Sequence, residues 1–121
     1  MSRTQAGDSP VYDPVVLALS TCPDDETGRT IAEALVSERL ATCVNRAPGI
    51  RSTYRWDGQL QDDAEVLLII KTCQSRVAEL ESRLKALHPY DLPELVVVPV
   101  SGGSDAYLQW VRQGVTKGTS E

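Results

Sequence analysis

The sequence predicts an α+β domain: a four-stranded antiparallel sheet with helices on one face and the other face left for a partner. Three observations carry this. Strand-like and helix-like stretches follow one another in the order β-α-β-β-α-β, with one more helical stretch at the end. Asp57-Gly58 separates two long strand-like runs, Leu40 to Trp56 and Gln59 to Thr72. Asp-Gly is a strong hairpin signal, because both central residues of a type I′ turn need positive φ. Finally, Val66-Leu67-Leu68-Ile69-Ile70 is apolar at every position. Side chains alternate between the faces of a strand, so both faces here need cover. The helices are too few for that, so the simplest arrangement places other copies of the chain on the second face.

The first strand is Val15-Val16-Leu17-Ala18-Leu19, ending at Ser20-Thr21. Pro23-Asp24-Asp25-Glu26 opens a helix, with carboxylates at the positive end of its dipole. Ile31, Ala34, Leu35 and Glu38 share one face of it, and it ends near Arg39. The hairpin follows, its first arm bent or bulged at Pro48-Gly49. After a short turn that Gln74 or Ser75 can cap, Val77, Leu80, Leu84 and Leu87 form one apolar helical stripe. Pro89 stops that helix, and His88 to Pro93 form an extended connector. Leu95 to Val100 is a fourth strand, apolar on both faces. Ser104 caps a final short helix with Tyr107, Trp110 and Val111 on one stripe. This order fits a ferredoxin-like fold with a C-terminal helix. Residues 14–113 form the domain, 1–13 a flexible N-terminal tail and 114–121 a polar C-terminal tail.

The chain has 121 residues, is 41% hydrophobic and carries a net charge of -5, enough for one domain with a modest core. An acidic balance argues against nucleic acid or an anionic membrane as the main partner. No run reaches the roughly 20 apolar residues of a membrane span, and the N-terminus lacks an apolar signal segment, so a cytoplasmic location is expected. Cysteines Cys22, Cys43 and Cys73 are odd in number and widely spaced, which suits free thiols rather than disulfides or a zinc ribbon.

His88 is the only histidine. With a thiolate from Cys43 or Cys22 it offers donors for a soft or borderline metal such as copper. Packing or a structural hydrogen bond is the plainer role for each. A Cys43–His88 dyad has no third orienting group, and no phosphate loop or paired-carboxylate motif appears, so an enzyme is not expected. Tyr54 and Trp56 share one face of the first hairpin arm. Lys71 ends an apolar strand, either as a solvated charge or as a cation in a cleft. Glu94 precedes a buried strand and calls for a partner such as Lys71 or His88.

Leu40-Ala41-Thr42-Cys43-Val44-Asn45, Tyr54-x-Trp56-x-Gly58, Lys71-Thr72 and His88-Pro89-Tyr90-x-x-Pro93-Glu94 together resemble the CutA family of divalent-cation tolerance proteins. The resemblance spans about Val15 to Val111. It implies a ferredoxin-like subunit in a homotrimer, similar in architecture to PII signalling proteins. It also implies that Tyr54, Trp56, Lys71, Tyr90 and Glu94 gather near clefts between subunits. Where copper ligands have been proposed in such proteins, a cysteine stands at Ser20 and a His-His pair at Leu87-His88; only His88 is retained here. The expected function is that of a homotrimeric divalent-cation (copper) binding protein in metal tolerance, with His88, Cys43 and Cys22 as metal donors. The alternative is a PII-like regulatory trimer that binds a small anionic ligand in its clefts.

Overall fold

A computed structural model describes residues 12–116. Of the tails expected at 1–13 and 114–121, residues 1–11 and 117–121 lie outside the described residues; the rest is corrected, since Asp13 is bonded to Ser75, Gly114 ends the last helix and Val115 is buried. Strand β1 is Val15–Cys22 and helix α1 is Asp25–Ser37; β2 (Cys43–Trp56) and β3 (Gln59–Cys73) form the long hairpin. A 3₁₀ turn at Gln74–Arg76 leads into α2 (Val77–Leu87), then come β4 (Val96–Pro99) and α3 (Asp105–Gly114). The sheet order is β2-β3-β1-β4 with every pair antiparallel. This is the ferredoxin-like arrangement that the sequence predicts.

Strand β1 outruns its apolar residues. The sequence closes it at Ser20-Thr21, but the ladder continues to Cys22, opposite Val66. The polar residues stay in the sheet because each has a partner. The buried Ser20 hydroxyl donates to the Glu94 carbonyl at 2.7 Å, and the Thr21 carbonyl meets His88.

Helix α1 is capped by the Asp24 carboxylate, which accepts the Thr27 N–H at 2.8 Å. Its buried face is Gly28, Ile31, Ala32 and Leu35, rotated from the expected one that held Ala34 and Glu38. Gly28 sets that rotation, since a Cβ there would lie 3.1 Å from the Cys22 Sγ. Glu38 instead pairs with Arg83 of α2 near the surface. Neither Gln74 nor Ser75 caps α2 through its side chain. The Asp13 carboxylate does related work from a distance, accepting both the N–H and the hydroxyl of Ser75.

The core lies between one sheet face and the first two helices. Ala18, Leu68 and Ile70 pack there against Ile31, Leu35, Leu80 and Leu84. On the opposite face α3 covers only one end, where Val111 and Val115 bury Val15 and Cys73. The expected stripe of Tyr107, Trp110 and Val111 is corrected here. The packed stripe is Leu108, Val111 and Val115, while Tyr107 and Trp110 stay exposed and lean on each other. The rest of that face holds Leu17, Leu19, Leu67 and Ile69, half-buried, with Val96 and Val98 exposed. A single chain leaves this apolar strip uncovered.

The hairpin turn has positive φ at Asp57 (54°) and Gly58 (75°), as a type I′ turn requires. The bulge is also where the sequence places it. Ala47 pairs with Leu67, yet the next register pair is Ile50 with Glu65. Gly49, at φ 86°, takes up the extra residue. Before the bulge, odd-numbered β2 residues face away from α1 and α2; after it, even-numbered ones do. Tyr54 and Trp56 are thereby turned to the same side as Leu67 and Ile69. Beyond the Cys22–Val66 pair the hairpin leaves β1 behind and continues as a two-stranded ribbon.

Cys73 gives the fold an alkaline weakness. Burial pushes its thiol up to about 11, Asp13 adds to the rise, and Arg112 partly offsets it. A raised folded-state value means that the neutral thiol stabilises the fold below pH 9, and that this contribution is lost as pH rises from 9 through about 11. Urea unfolding at pH 8 and pH 11 should show a drop in stability that is smaller in Cys73→Ala. An equal drop in both proteins would remove Cys73 as its cause.

Candidate functional site

Where β1 ends, the connector between α2 and β4 runs beside the hairpin ribbon. Between them lies an open cleft of about 470 Å³. Tyr54 and Trp56 reach it from β2, Asp63 and Glu65 from β3, and Tyr90, Asp91 and Glu94 from the connector.

His88 fixes the connector. Its backbone turns extended as α2 ends, and its ring is buried. The ring Nε2 lies 2.7 Å from the Thr21 carbonyl, and Nδ1 accepts the Tyr90 N–H at 3.2 Å. This bonding pattern puts the ring proton on Nε2 and uses the lone pair of Nδ1. The His88 and Tyr90 rings are 4.6 Å apart. Tyr90 then spans the cleft, and its hydroxyl donates to Glu65 Oε2 at 2.8 Å. Burial, and then this bond to Glu65, push the Tyr90 hydroxyl well above the usual phenol range. Tyr54 repeats the pattern along the ribbon by donating to Asp63 Oδ2 at 2.5 Å. That bond is the main reason its hydroxyl, too, is raised.

Glu65 is 8% exposed. Among the described residues its hydrogen-bond donor is the Tyr90 hydroxyl, and no lysine, arginine or histidine pairs with it. Glu94 corrects an expectation. Its side chain meets the Thr21 hydroxyl at 3.4 Å, not Lys71 or His88. The residue is exposed, so no buried charge there needs a counter-charge.

Of the five residues expected in a cleft, Tyr54, Trp56, Tyr90 and Glu94 line this one and Lys71 does not. Lys71 sits opposite Leu17 near the other end of the sheet, its Nζ 5.7 Å from the centre of the Tyr107 ring. Among the described residues the lining therefore carries the carboxylates of Asp63, Glu65, Asp91 and Glu94 and no basic side chain. Asp63, Glu65 and Asp91 escape sequence reasoning. The available signal was Glu65, a lone charge on the edge of the Val66–Ile70 run.

A single subunit does not bring His88, Cys22 and Cys43 together. Cys22 is buried on the helix-facing side, its thiol 3.4 Å from the Asp24 carbonyl and its pKa pushed up by burial. Cys43 is half-buried on the other face, opposite Lys71. Both ring nitrogens of His88 are engaged. Among the described residues no group of three or more His, Cys, Asp or Glu side chains is placed to hold a metal ion. No helix among them is long and apolar enough to cross a membrane.

Comparison with known proteins adds the lineage. The divalent-cation tolerance protein CutA of Thermus thermophilus is 50% identical over 97 residues, covering 80% of this chain and 94% of that protein. The chloroplastic protein CutA of Arabidopsis thaliana is 46% identical over 99 residues, covering 82% of this chain but only 54% of that longer protein. The crystal structure of CutA from Xylella fastidiosa superposes with a TM-score of 0.83 at 46% identity, over 85% of this chain and 99% of that one. The family model described as CutA1 divalent ion tolerance protein matches residues 16–114, and the chain belongs to that family.

Proposed function

We propose that this chain acts as a homotrimer in divalent-cation tolerance, as a binding protein rather than an enzyme, and that it meets cations at the carboxylate-lined cleft. The observation that carries this is the charge of the lining: among the described residues, several carboxylates and no basic group. A cleft of one sign concentrates ions of the other. The apolar strip around Ile69 supports the assembly, because an exposed strip of that kind marks an interface. The stoichiometry of three comes from the CutA resemblance. The ribbon supports assembly as such, since an isolated two-stranded hairpin is marginally stable without a neighbour. Free cysteines support a reducing, cytoplasmic setting.

Copper is the metal that the resemblance suggests. The donors expected for it do not fit it as placed in one subunit: Cys22 is buried, Cys43 lies on the other face, and Nδ1 of His88 is occupied. Coordination by His88 requires the Tyr90 N–H to leave Nδ1. Oxygen donors such as Asp63, Glu65 and Glu94 suit harder divalent ions better. The regulatory alternative, an anion held through Lys71 in a cleft between subunits, draws no support from the acidic lining that a single subunit contributes.

Anaerobic calorimetric titration with Mn(II), Zn(II), Cu(II) and Cu(I) tests this reading. Glu65→Gln should weaken binding by about tenfold or more, equivalent to about 1.4 kcal/mol. Binding that ignores Glu65→Gln but disappears in His88→Ala and Cys43→Ala would return the site to the imidazole and thiolate donors. Absence of binding to the wild type would remove the cation reading.

A further inference from the structure

Glu65 poses a physical problem. The residue is 8% exposed, one of its carboxylate oxygens accepts the Tyr90 hydroxyl, and no cation among the described residues pairs with it. Buried charges are ordinarily paired. The missing partner has room to enter, because Glu65 lines an open cleft of about 470 Å³. That volume admits a small organic molecule.

The walls say what kind of molecule. Tyr54, Trp56 and Tyr90 line the same cleft as Glu65 and Asp63, and in a single subunit all three aromatic side chains are partly exposed. Ring faces attract a cation that sheds water easily, and alkylated ammonium ions are the cations that aromatic walls recognise. The hydroxyls of Tyr54 and Tyr90 already hold Asp63 and Glu65 in place. An alkylammonium ion needs no coordination shell. Its diffuse charge is balanced by the rings and by the nearby carboxylates, with the hydroxyl bonds intact.

We infer that the cleft binds a small alkylated ammonium ion, with Trp56 and Tyr54 as its aromatic wall and Glu65 as its counter-charge. This deepens the reading of the cleft as a cation site and rests on it.

The test uses the assembled full-length protein and calorimetry, with choline and tetramethylammonium as probes. The control is 3,3-dimethyl-1-butanol, the neutral isostere of choline. Both cations should saturate, and the isostere should bind at least about tenfold more weakly, consistent with a cation–ring contribution on the order of 1–2 kcal/mol. Trp56→Leu and Glu65→Gln should each lose about tenfold, while Trp56→Phe, which keeps a ring, should fall between. Circular dichroism checks that each variant is folded. Equal binding of choline and its isostere would overturn the inference, as would saturation that ignores Glu65→Gln. Zn(II) binding without choline binding would overturn it while leaving the divalent reading standing. Failure of both ligands would sink both.

Discussion

His88→Ala is expected to lower the unfolding free energy by about 3–5 kcal/mol, a large fraction of the stability of a domain of this size. The ring is buried and holds two backbone groups at once, the Thr21 carbonyl and the Tyr90 N–H. Removing it leaves both without their partner and opens a cavity beneath the connector. Each unpaired buried group costs about 1–3 kcal/mol, and the lost packing adds to that. Tyr90 should also lose its hold on Glu65, so the cleft should loosen. Urea unfolding of the two proteins measures the difference. A change under about 1 kcal/mol would show that His88 is not the strut described here.

The second large effect concerns assembly. Ile69 sits in a row that crosses the sheet from Asn45 through Leu19 to Val96. Ile69→Lys places an ammonium group in the middle of the apolar strip, where a neighbouring copy would have to desolvate it. If unfolding is coupled to dissociation, the wild-type Tm rises with protein concentration. The variant should unfold at a lower Tm that does not move with concentration. A variant whose Tm keeps the wild-type concentration dependence would mean that copies meet elsewhere.

Local chemistry made the hairpin readable. Asp57-Gly58 and Pro48-Gly49 act on their own dihedrals, and the structure shows positive φ at Asp57, Gly58 and Gly49. The apolar runs in β1 and β3 were equally plain. The extension of β1 to Cys22 was not, because Ser20 and Thr21 are held by Glu94 and His88, far along the chain. A short polar residue gives no sign of a partner that distant. The buried face of α1 turned on Gly28, whose value is the close approach to Cys22 that it allows.

The cleft was legible in part for the same reason. Alternation puts Tyr54 and Trp56 on one face, and the bulge sets which face. Lys71 shares a face with Glu65 by strand parity, but six residues of strand put about 20 Å between them. Within one subunit the described lining is acidic. Asp63 and Glu65 read as ordinary charges of a polar hairpin tip until the register paired the ribbon and Tyr90 reached across to Glu65.

Sedimentation equilibrium of the wild-type protein at micromolar concentration tests the central claim, that a second copy covers the apolar strip around Ile69. The account predicts a single species of three times the 13.2 kDa subunit mass. A species of one subunit mass would contradict it, and would leave Leu19, Ile69 and Val96 in water with no cover for them.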